Sequence, residues 1–451
     1  PVYLVFLMPD YFNFVTVFVA YFFWLYKEVT TPRSPVLRGA WSDCLAAVLL
    51  GIATYSKPTH APLVVPFVLL LWWRRQFWKG IVVGLVFTVV AGGLYGANAL
   101  TTGEFNYQGG DRKTFYGTFP FQQGRGDIWN AKTDLFTTND SDAESVLAPS
   151  EFAGRFSRNV WYFLVGRHFG FVPYFFPGFI AVLAWAWSRD RLVPWKLLTL
   201  AAVAASTLVF LVLAPYSWSG GGGPPGNRYF LSLYPPLFFL MPPIASTVPA
   251  LLAWVGGALF TAKILVNPFV SAKNTWEIAE RGLARRLPVE ITMANDLPVA
   301  LAQPSRSHIP YGHDPEVLLY FLDRHAFPPE PVGKAADGSN IFGMWVAGGG
   351  RADIILRSDN LLDRLTVTVE SPIATTFIVG AGASTRSIAI APGAPPVTFD
   401  LPVSGVRGFN SYAYLVSAQS SDGFIPQVRD PHATDGRNLG VLMKIQAVER
   451  R

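Results

Sequence analysis

Cysteine is nearly absent from this chain: Cys44 stands alone among 451 residues. That excludes a disulfide framework and a cysteine-ligated metal site. Charge is scarce as well, at 15% of residues, against roughly a quarter in soluble domains. The glycine run that begins at Gly220 is not followed by Gly-Lys-Ser/Thr, so no P-loop exists, and no dinucleotide fingerprint follows a strand pattern. Long internal repeats and low-complexity tails are also missing. The few basic residues gather in short loops between apolar runs, so a pI of 9.3 reads as membrane topology and not as nucleic-acid binding.

Apolar sequence is what the chain has in abundance. Hydrophobic residues make up 51% and aromatics 15%, and the mean hydropathy is +0.31. Most of this lies before residue 267, in runs long enough to cross a bilayer. The chain opens at Pro1, already inside an apolar run, and shows no leader with a charged start and a cleavage site. A fragment lacking its N-terminal part is the expectation.

The first run, Val2–Tyr26, ends at Lys27 and a loop carrying Arg33 and Arg38. Ala40–Trp73 is too long for one span and holds Ser56-Lys57-Pro58-Thr59-His60-Ala61-Pro62 at its middle, so two short spans with Lys57 at the far turn are expected. Arg74, Arg75 and Lys79 follow, and then Gly80–Leu100 crosses. Thr101–Arg158 is polar, with eight acids and six bases. Asn159–Trp187 returns to a third basic loop with Arg189, Arg191 and Lys196. Leu197–Ala214, Tyr229–Ile244 and Val248–Val266 complete eight spans. That count puts the three basic loops on one side, the cytoplasm. Lys57, 101–158 and the turn at 217–230 fall on the other side, together with everything after Asn267.

Past the spans, Lys273–Arg286 reads as a short amphipathic helix and Pro288–Gly338 as a loop-rich connector. From Ser339 on, eight alternating segments between glycine and proline turns predict an antiparallel β-sandwich. They are Ile341–Ala347, Arg351–Arg357, Arg364–Glu370, Thr375–Val379, Arg386–Ala391, Val397–Leu401, Tyr412–Ala418 and Gly440–Ile445. The expected organisation is a helical membrane bundle over 1–266 with an outer loop at 101–158, a connector over 267–338 and an extracytoplasmic sandwich over 339–451.

Several polar residues in the apolar part invite chemistry. Asp10 follows Pro9 in the first span, where a carboxylate either faces a wet cavity or partner or begins a helix. Lys57 at the broken-helix turn suits a phosphate headgroup or simple snorkelling. Arg112 and Lys113, with the aromatics of Gly103–Gln122, suit a phosphorylated sugar or an interfacial segment. Arg228 and Tyr229 open a late span directly after the glycine turn, where backbone amides and one fixed cation can meet an anion. His308, His313 and Asp314 have loose spacing, and no metal is expected there. Asn139-Asp140-Ser141 fits the glycosylation acceptor pattern, and Asp430, His432 and Asp435 read as turn residues.

Three stretches together resemble the GT-C class of polyprenol-phosphate-sugar glycosyltransferases, in particular bacterial relatives of the protein O-mannosyltransferases and aminoarabinose transferases. They are Met8-Pro9-Asp10, the broken helix Gly51–Arg75, and Gly226-Asn-Arg-Tyr-Phe-Leu-Ser-Leu-Tyr-Pro235. The resemblance covers roughly residues 1–266. It implies sugar transfer from a polyprenyl phosphate to an acceptor on the outer face of a bacterial plasma membrane, with inversion at the anomeric carbon. Lys57, Arg228, Tyr229 and, among the outer-loop residues, Arg112 and Lys113 would hold the lipid phosphate or donor, and Asp10 would be the catalytic residue present in this chain, helping to line the donor or acceptor pocket. The donor carries its sugar already activated, so no nucleotide or other cofactor is implied. The family's principal catalytic carboxylate lies in a first outer loop that has no counterpart here. The implied partners are the bilayer, the lipid-linked sugar and an acceptor that is a lipid, a protein or a polysaccharide, with no nucleic acid. Two other classes remain open: an anchored, non-catalytic envelope-glycan-binding protein, and a transporter, which should show an inverted repeat.

Overall fold

A computed structural model describes residues 9–103, 149–220, 225–243, 246–303, 307–312, 315–335, 338–408 and 411–450. They divide into two compact units, one within Pro1–Gly220 and Gly226–Ala272, the other within Gly221–Pro225 and Lys273–Arg451.

The first unit is helical. Its opening helix, Pro9–Val29, starts on a proline at the first turn, with Asp10 beside it where a negative charge meets the helix dipole. Asp10, Asn13, Val17, Ala20 and Trp24 recur at helical spacing and are all buried, so one stripe turns both polar side chains inward with the apolar ones. That stripe packs on the Ala40–Ser56 helix, whose buried face is mostly small: Ser42, Ala46, Ala47, Gly51 and Ala53. Small residues let the backbones approach; on the side facing the Phe77–Thr102 helix, a Cβ at Gly51 would meet Val90 at 2.9 Å.

Lys57 ends the Ala40–Ser56 helix in an extended conformation, as the residue before a proline should. Pro58–Val64 follows as a 3-10 helix and Val65–Trp73 as an α-helix. The broken-helix expectation and its Lys57 turn therefore correspond to this stretch. Tyr21 donates to the Leu63 carbonyl at 3.1 Å, and Trp24 stacks on Phe67 with ring centroids 3.8 Å apart, so the first helix braces the break.

Other spans differ from expectation. Among the described residues, three helices are long and apolar enough to cross a membrane: Phe77–Thr102, Pro194–Leu213 and Val248–Val266. Shorter apolar helices occupy Ala40–Ser56, Pro58–Trp73 and Phe176–Trp187. These three full-length helices are fewer than the eight spans drawn from hydropathy. Asn159–Trp187 is not one helix but two, Pro149–Val165 and Phe176–Trp187, around a short turn at Phe171–Tyr174. Tyr229–Ile244 forms a 3-10 helix at Arg228–Leu233 and a five-residue α-helix at Pro235–Phe239. Pro235, Pro236, Pro242 and Pro243 are apolar enough for hydropathy, yet none can donate a backbone hydrogen bond.

The second unit is β-rich. Its strands are β1 (Ile309–Tyr311), β2 (Val317–Phe321), β3 (Glu330–Lys334), β4 (Asn340–Ala347), β5 (Arg351–Ser358) and β6 (Leu362–Glu370). There follow β7 (Thr375–Ala381), β8 (Ser384–Ile390), β9 (Val397–Pro402), β10 (Val406–Gly408), β11 (Ser411–Ser420) and β12 (Leu439–Glu449). One antiparallel sheet runs β1-β2-β5-β11-β7-β8, with β10 beside β11; the other runs β3-β4-β12-β6-β9. The eight segments read from alternation match β4 to β9, β11 and β12 to within a few residues. Three further strands, β1 to β3, come from the stretch read as a connector, and the short helix expected at Lys273–Arg286 is two 3-10 turns, Thr275–Ile278 and Ala284–Arg286.

Both sheets contribute to one core, with Leu319, Ile354, Phe377 and Val416 from the first and Met344, Leu365, Val367 and Met443 from the second. Two tyrosines cross between the sheets. Tyr311 on β1 donates to the Phe342 carbonyl at 3.0 Å and accepts from the Ile445 N–H at 3.0 Å. Tyr414 on β11 accepts from the Leu362 N–H at 2.6 Å. Burial pushes both phenols up from their ordinary value, so they stay protonated as donors well past neutral pH. Replacing Tyr311 by Phe leaves a buried N–H and a carbonyl unpaired, a cost of about 1–3 kcal/mol. Amide exchange across 439–449 should accelerate in Tyr311→Phe, with little change on β8 and β9.

Candidate functional site

Four residues singled out in the sequence meet at one end of the helical unit. Asp10 comes from the start of the first helix, Lys57 from the end of the Ala40–Ser56 helix, and Arg228 with Tyr229 from the start of the Arg228–Leu233 3-10 helix. Lys57 Nζ donates to Asp10 Oδ1, and Arg228 Nε lies 3.8 Å from Oδ2. Each oxygen of a carboxylate that is only 2% exposed thus faces a cation. Tyr229 sits between them, with Lys57 Nζ 5.2 Å and Arg228 Cζ 5.4 Å from its ring centre. Its own ring stacks on Phe210 of the Pro194–Leu213 helix. Cations over an aromatic face gain attraction on top of the ion pairs.

The backbone explains how the late segment arrives. Tyr229 N–H donates to the Ser219 carbonyl at 3.3 Å, closing the turn on itself. Gly220 stands beside it at φ +102, where a Cβ would meet Tyr229 Cδ1 at 2.9 Å and Arg228 Nε at 3.1 Å. This one glycine of the run therefore has a definite steric reason. Asn227 Nδ2 anchors the far side by donating to the Phe169 carbonyl at 2.8 Å, and Tyr234 OH donates to Asn227 Oδ1.

Sequence reasoning passed over the polar groups next to the cluster. Pro58 and Pro62 break the helix ladder, and His60, fully buried, adds a second bond at its end: Nδ1 lies 2.8 Å from Ala53 O, which also accepts the Lys57 N–H at 2.9 Å. A carbonyl only accepts, so Nδ1 carries the proton. In the neutral ring Nε2 is then the acceptor, and the Ser232 hydroxyl 2.6 Å away donates to it. Asn13, one turn beyond Asp10 on the same stripe, donates to Ser56 Oγ at 2.8 Å. Its Oδ1 and the Ser219 hydroxyl, both buried, have no hydrogen-bond partner among the described residues. The signals were present: Asn13 is three residues from Asp10, and Ser232 four from Arg228.

Remaining candidates lie elsewhere. Arg112, Lys113, His313, Asp314 and the Asn139-Asp140-Ser141 motif fall outside the described residues. His308 packs near the ring of Tyr320, centroids 5.4 Å apart. His432 N–H donates to Asp430 Oδ1, and Arg437 forks Asp435, which holds that carboxyl below its ordinary pKa, so these are turn contacts of the β unit. No group of three metal-ligating side chains occurs among the described residues.

No protein-family model and no curated protein matches the chain. A solved structure described as a family GH115 4-O-methyl-alpha-glucuronidase with specificity for decorated arabinogalactans aligns with 73% of this chain and 36% of its own length, at 14% identity and a TM-score of 0.17. A likeness that low carries no argument.

The ion-pair geometry sets an order of damage. Asp10→Asn leaves Lys57 and Arg228 facing one another without their shared carboxylate, whereas Lys57→Gln leaves Asp10 with Arg228. Removing one member of a buried pair costs about 3–5 kcal/mol. Thermal unfolding of the purified protein should therefore fall further for Asp10→Asn than for Lys57→Gln; the reverse order would mean that the cluster is held by something other than Asp10.

Proposed function

We propose that the helical unit belongs to a membrane glycosyltransferase that moves a sugar from a polyprenyl phosphate to an acceptor at the extracytoplasmic face of a bacterial plasma membrane. The observation that carries this reading is the convergence of Lys57, Arg228 and Tyr229 on Asp10 from two segments far from it in sequence. A cluster of two cations at the end of an apolar bundle suits the phosphate of a lipid whose tail lies along the helices. The resemblance of the same three stretches to GT-C transferases points the same way, and a bundle of eight spans with Arg112 and Lys113 in its outer loop belongs to this proposal.

In the reaction, the acceptor hydroxyl oxygen forms a bond to the anomeric carbon while the carbon–oxygen bond to phosphate breaks, its electron pair leaving on the phosphate. Lys57 and Arg228 stabilise the charge that grows there. Tyr229 fixes where the two cations point. Asp10, with both oxygens engaged and almost no exposure, acts in this reading as a positioning residue, and the acceptor proton goes to another carboxylate.

Lys57→Ala and Arg228→Ala should each lower transfer from a polyprenyl-phosphate sugar at least a hundredfold, on the order of the loss of one charge-stabilising donor. The assay follows labelled sugar released from the lipid in proteoliposomes. Transfer unchanged in both variants would end the phosphate assignment.

A further inference from the structure

The opposite end of the helical unit carries a second set of cations. Lys27 lies 17 residues after Asp10 on the first helix, about 25 Å away at 1.5 Å per residue. Here the last turn of the first helix meets the turn after Val65–Trp73: Arg74 forks Glu28, Nη1 to Oε1 at 2.7 Å and Nη2 to Oε2 at 2.6 Å. Lys27 pairs with Asp43 alongside. These two pairs consume the local carboxylates. Arg33, Arg38, Arg75 and Lys79 are exposed, and among the described residues no carboxylate lies within ion-pair distance of any of them. Arg38 instead hooks back to the Pro32 carbonyl through Nε and Nη2, which shapes the loop that carries Arg33.

Backbone strain singles out one of the four. The Val65–Trp73 helix closes with Arg75 N–H on Trp72 O at 2.9 Å and Gln76 N–H on Leu71 O at 2.8 Å. That is the paired closure whose residue between the two donors turns left-handed and is usually glycine. Arg75 occupies it at φ +58, the one non-glycine residue with positive φ among those described. The substitution of a side chain for glycine there costs on the order of 1 kcal/mol, and the structure keeps a cation in spite of it. Close to these cations along the chain stand tryptophans that the fold leaves open: Trp41 is 73% exposed, Trp73 76% and Trp78 80%. Indole rings beside unpaired cations match the level of lipid headgroups, where the ring lies among ester groups and the cation meets phosphate.

We infer that Arg33, Arg38, Arg75 and Lys79, rimmed by Trp41, Trp73 and Trp78, form a seat for anionic phospholipid headgroups at the end of the bundle remote from Asp10. The inference needs the helices to lie in a bilayer, and it does not depend on the transfer reaction. Charge complementarity selects the occupant: a zwitterionic headgroup offers its own cation to the four already present, whereas phosphatidylglycerol offers only the phosphate.

The test uses the full chain in nanodiscs of mixed phosphatidylcholine and phosphatidylglycerol, one or the other with brominated acyl chains, read by quenching of tryptophan fluorescence. The unaltered protein should prefer phosphatidylglycerol about tenfold, a fraction of what four surface cations allow. Arg33→Gln/Arg38→Gln/Arg75→Gln/Lys79→Gln should reduce that preference to near unity, and the triple arginine-to-lysine variant should keep it. Arg75→Gly separates charge from fold, since it relieves strain: its thermal midpoint should be no lower than that of the unaltered protein, while its phosphatidylglycerol preference drops. An unchanged preference in both the quadruple variant and Arg75→Gly would overturn the inference. Should the quadruple variant fail to insert, seen as equal loss of quenching by both lipids, Arg75→Gly decides alone. Sugar transfer plays no part in this readout, so its absence leaves the result standing.

Discussion

A carboxylate buried at the end of an apolar bundle has to be answered, and the packing of the helical unit follows from how Asp10 is answered. Lys57 and Arg228 reach it from segments 47 and more residues away. To bring them there, one helix must stop at Lys57, and the chain must turn tightly at Gly220 so that Arg228 and Tyr229 lie against it. The break at Pro58 and the steric demand at Gly220 are two consequences of one electrostatic requirement. Buried pairs of this kind are weak sources of stability and strong sources of specificity when one partner is shared. Here the shared partner is Asp10, which ties together three segments far apart in sequence.

Between the two polar ends the contacts change in kind. Trp24, Tyr21 and Phe67 pack ring on ring in the middle of the first helix and its neighbours. Fork-shaped and cationic contacts occur at one end, around Glu28 and Arg74, and at the other, around Asp10. The separation is physical economy: the ion pairs lie at the two ends of the first helix, and the middle is left to dispersion and area burial. The unpaired cations near Trp78 and the ion-paired ones at Asp10 are therefore different in use. One set is already neutralised in part by the fold; the other is held open.

Much of this was legible in the residues. Asp10 and Lys57 were visible because a charge in an apolar run is rare, and Arg228-Tyr229 because they follow a glycine turn. The strands of the β unit were visible because inward Leu365, Val367 and Val369 alternate with Thr366 and Thr368. What could not be read is equally specific. Tyr229–Ile244 looked like a span because proline costs little on a hydropathy scale, while its missing N–H breaks the helix ladder twice. β3, Glu-Pro-Val-Gly-Lys, is polar and carries a proline, so its composition hides a strand, although the proline suits the edge position it takes beside β4. The hydrogen bond of His60 to Ser232 joins residues 172 apart and leaves no periodic trace. The left-handed arginine at 75 looks like any other arginine until its backbone is seen.

The early end of the Ala40–Ser56 helix has one more effect, on the medium around it. At 17 residues it reaches about 25 Å, short of a hydrocarbon layer of about 30 Å. A bilayer that accommodates it has to thin on the Lys57 side, or let the polar layer dip inward, at a fraction of a kcal/mol per ångström. In such a bilayer, hydrophobic mismatch would draw the surface toward the Lys57 end of this helix. In the proposed transfer reaction, the lipid phosphate would then travel a shorter path through hydrocarbon than the thickness of an undisturbed bilayer would require.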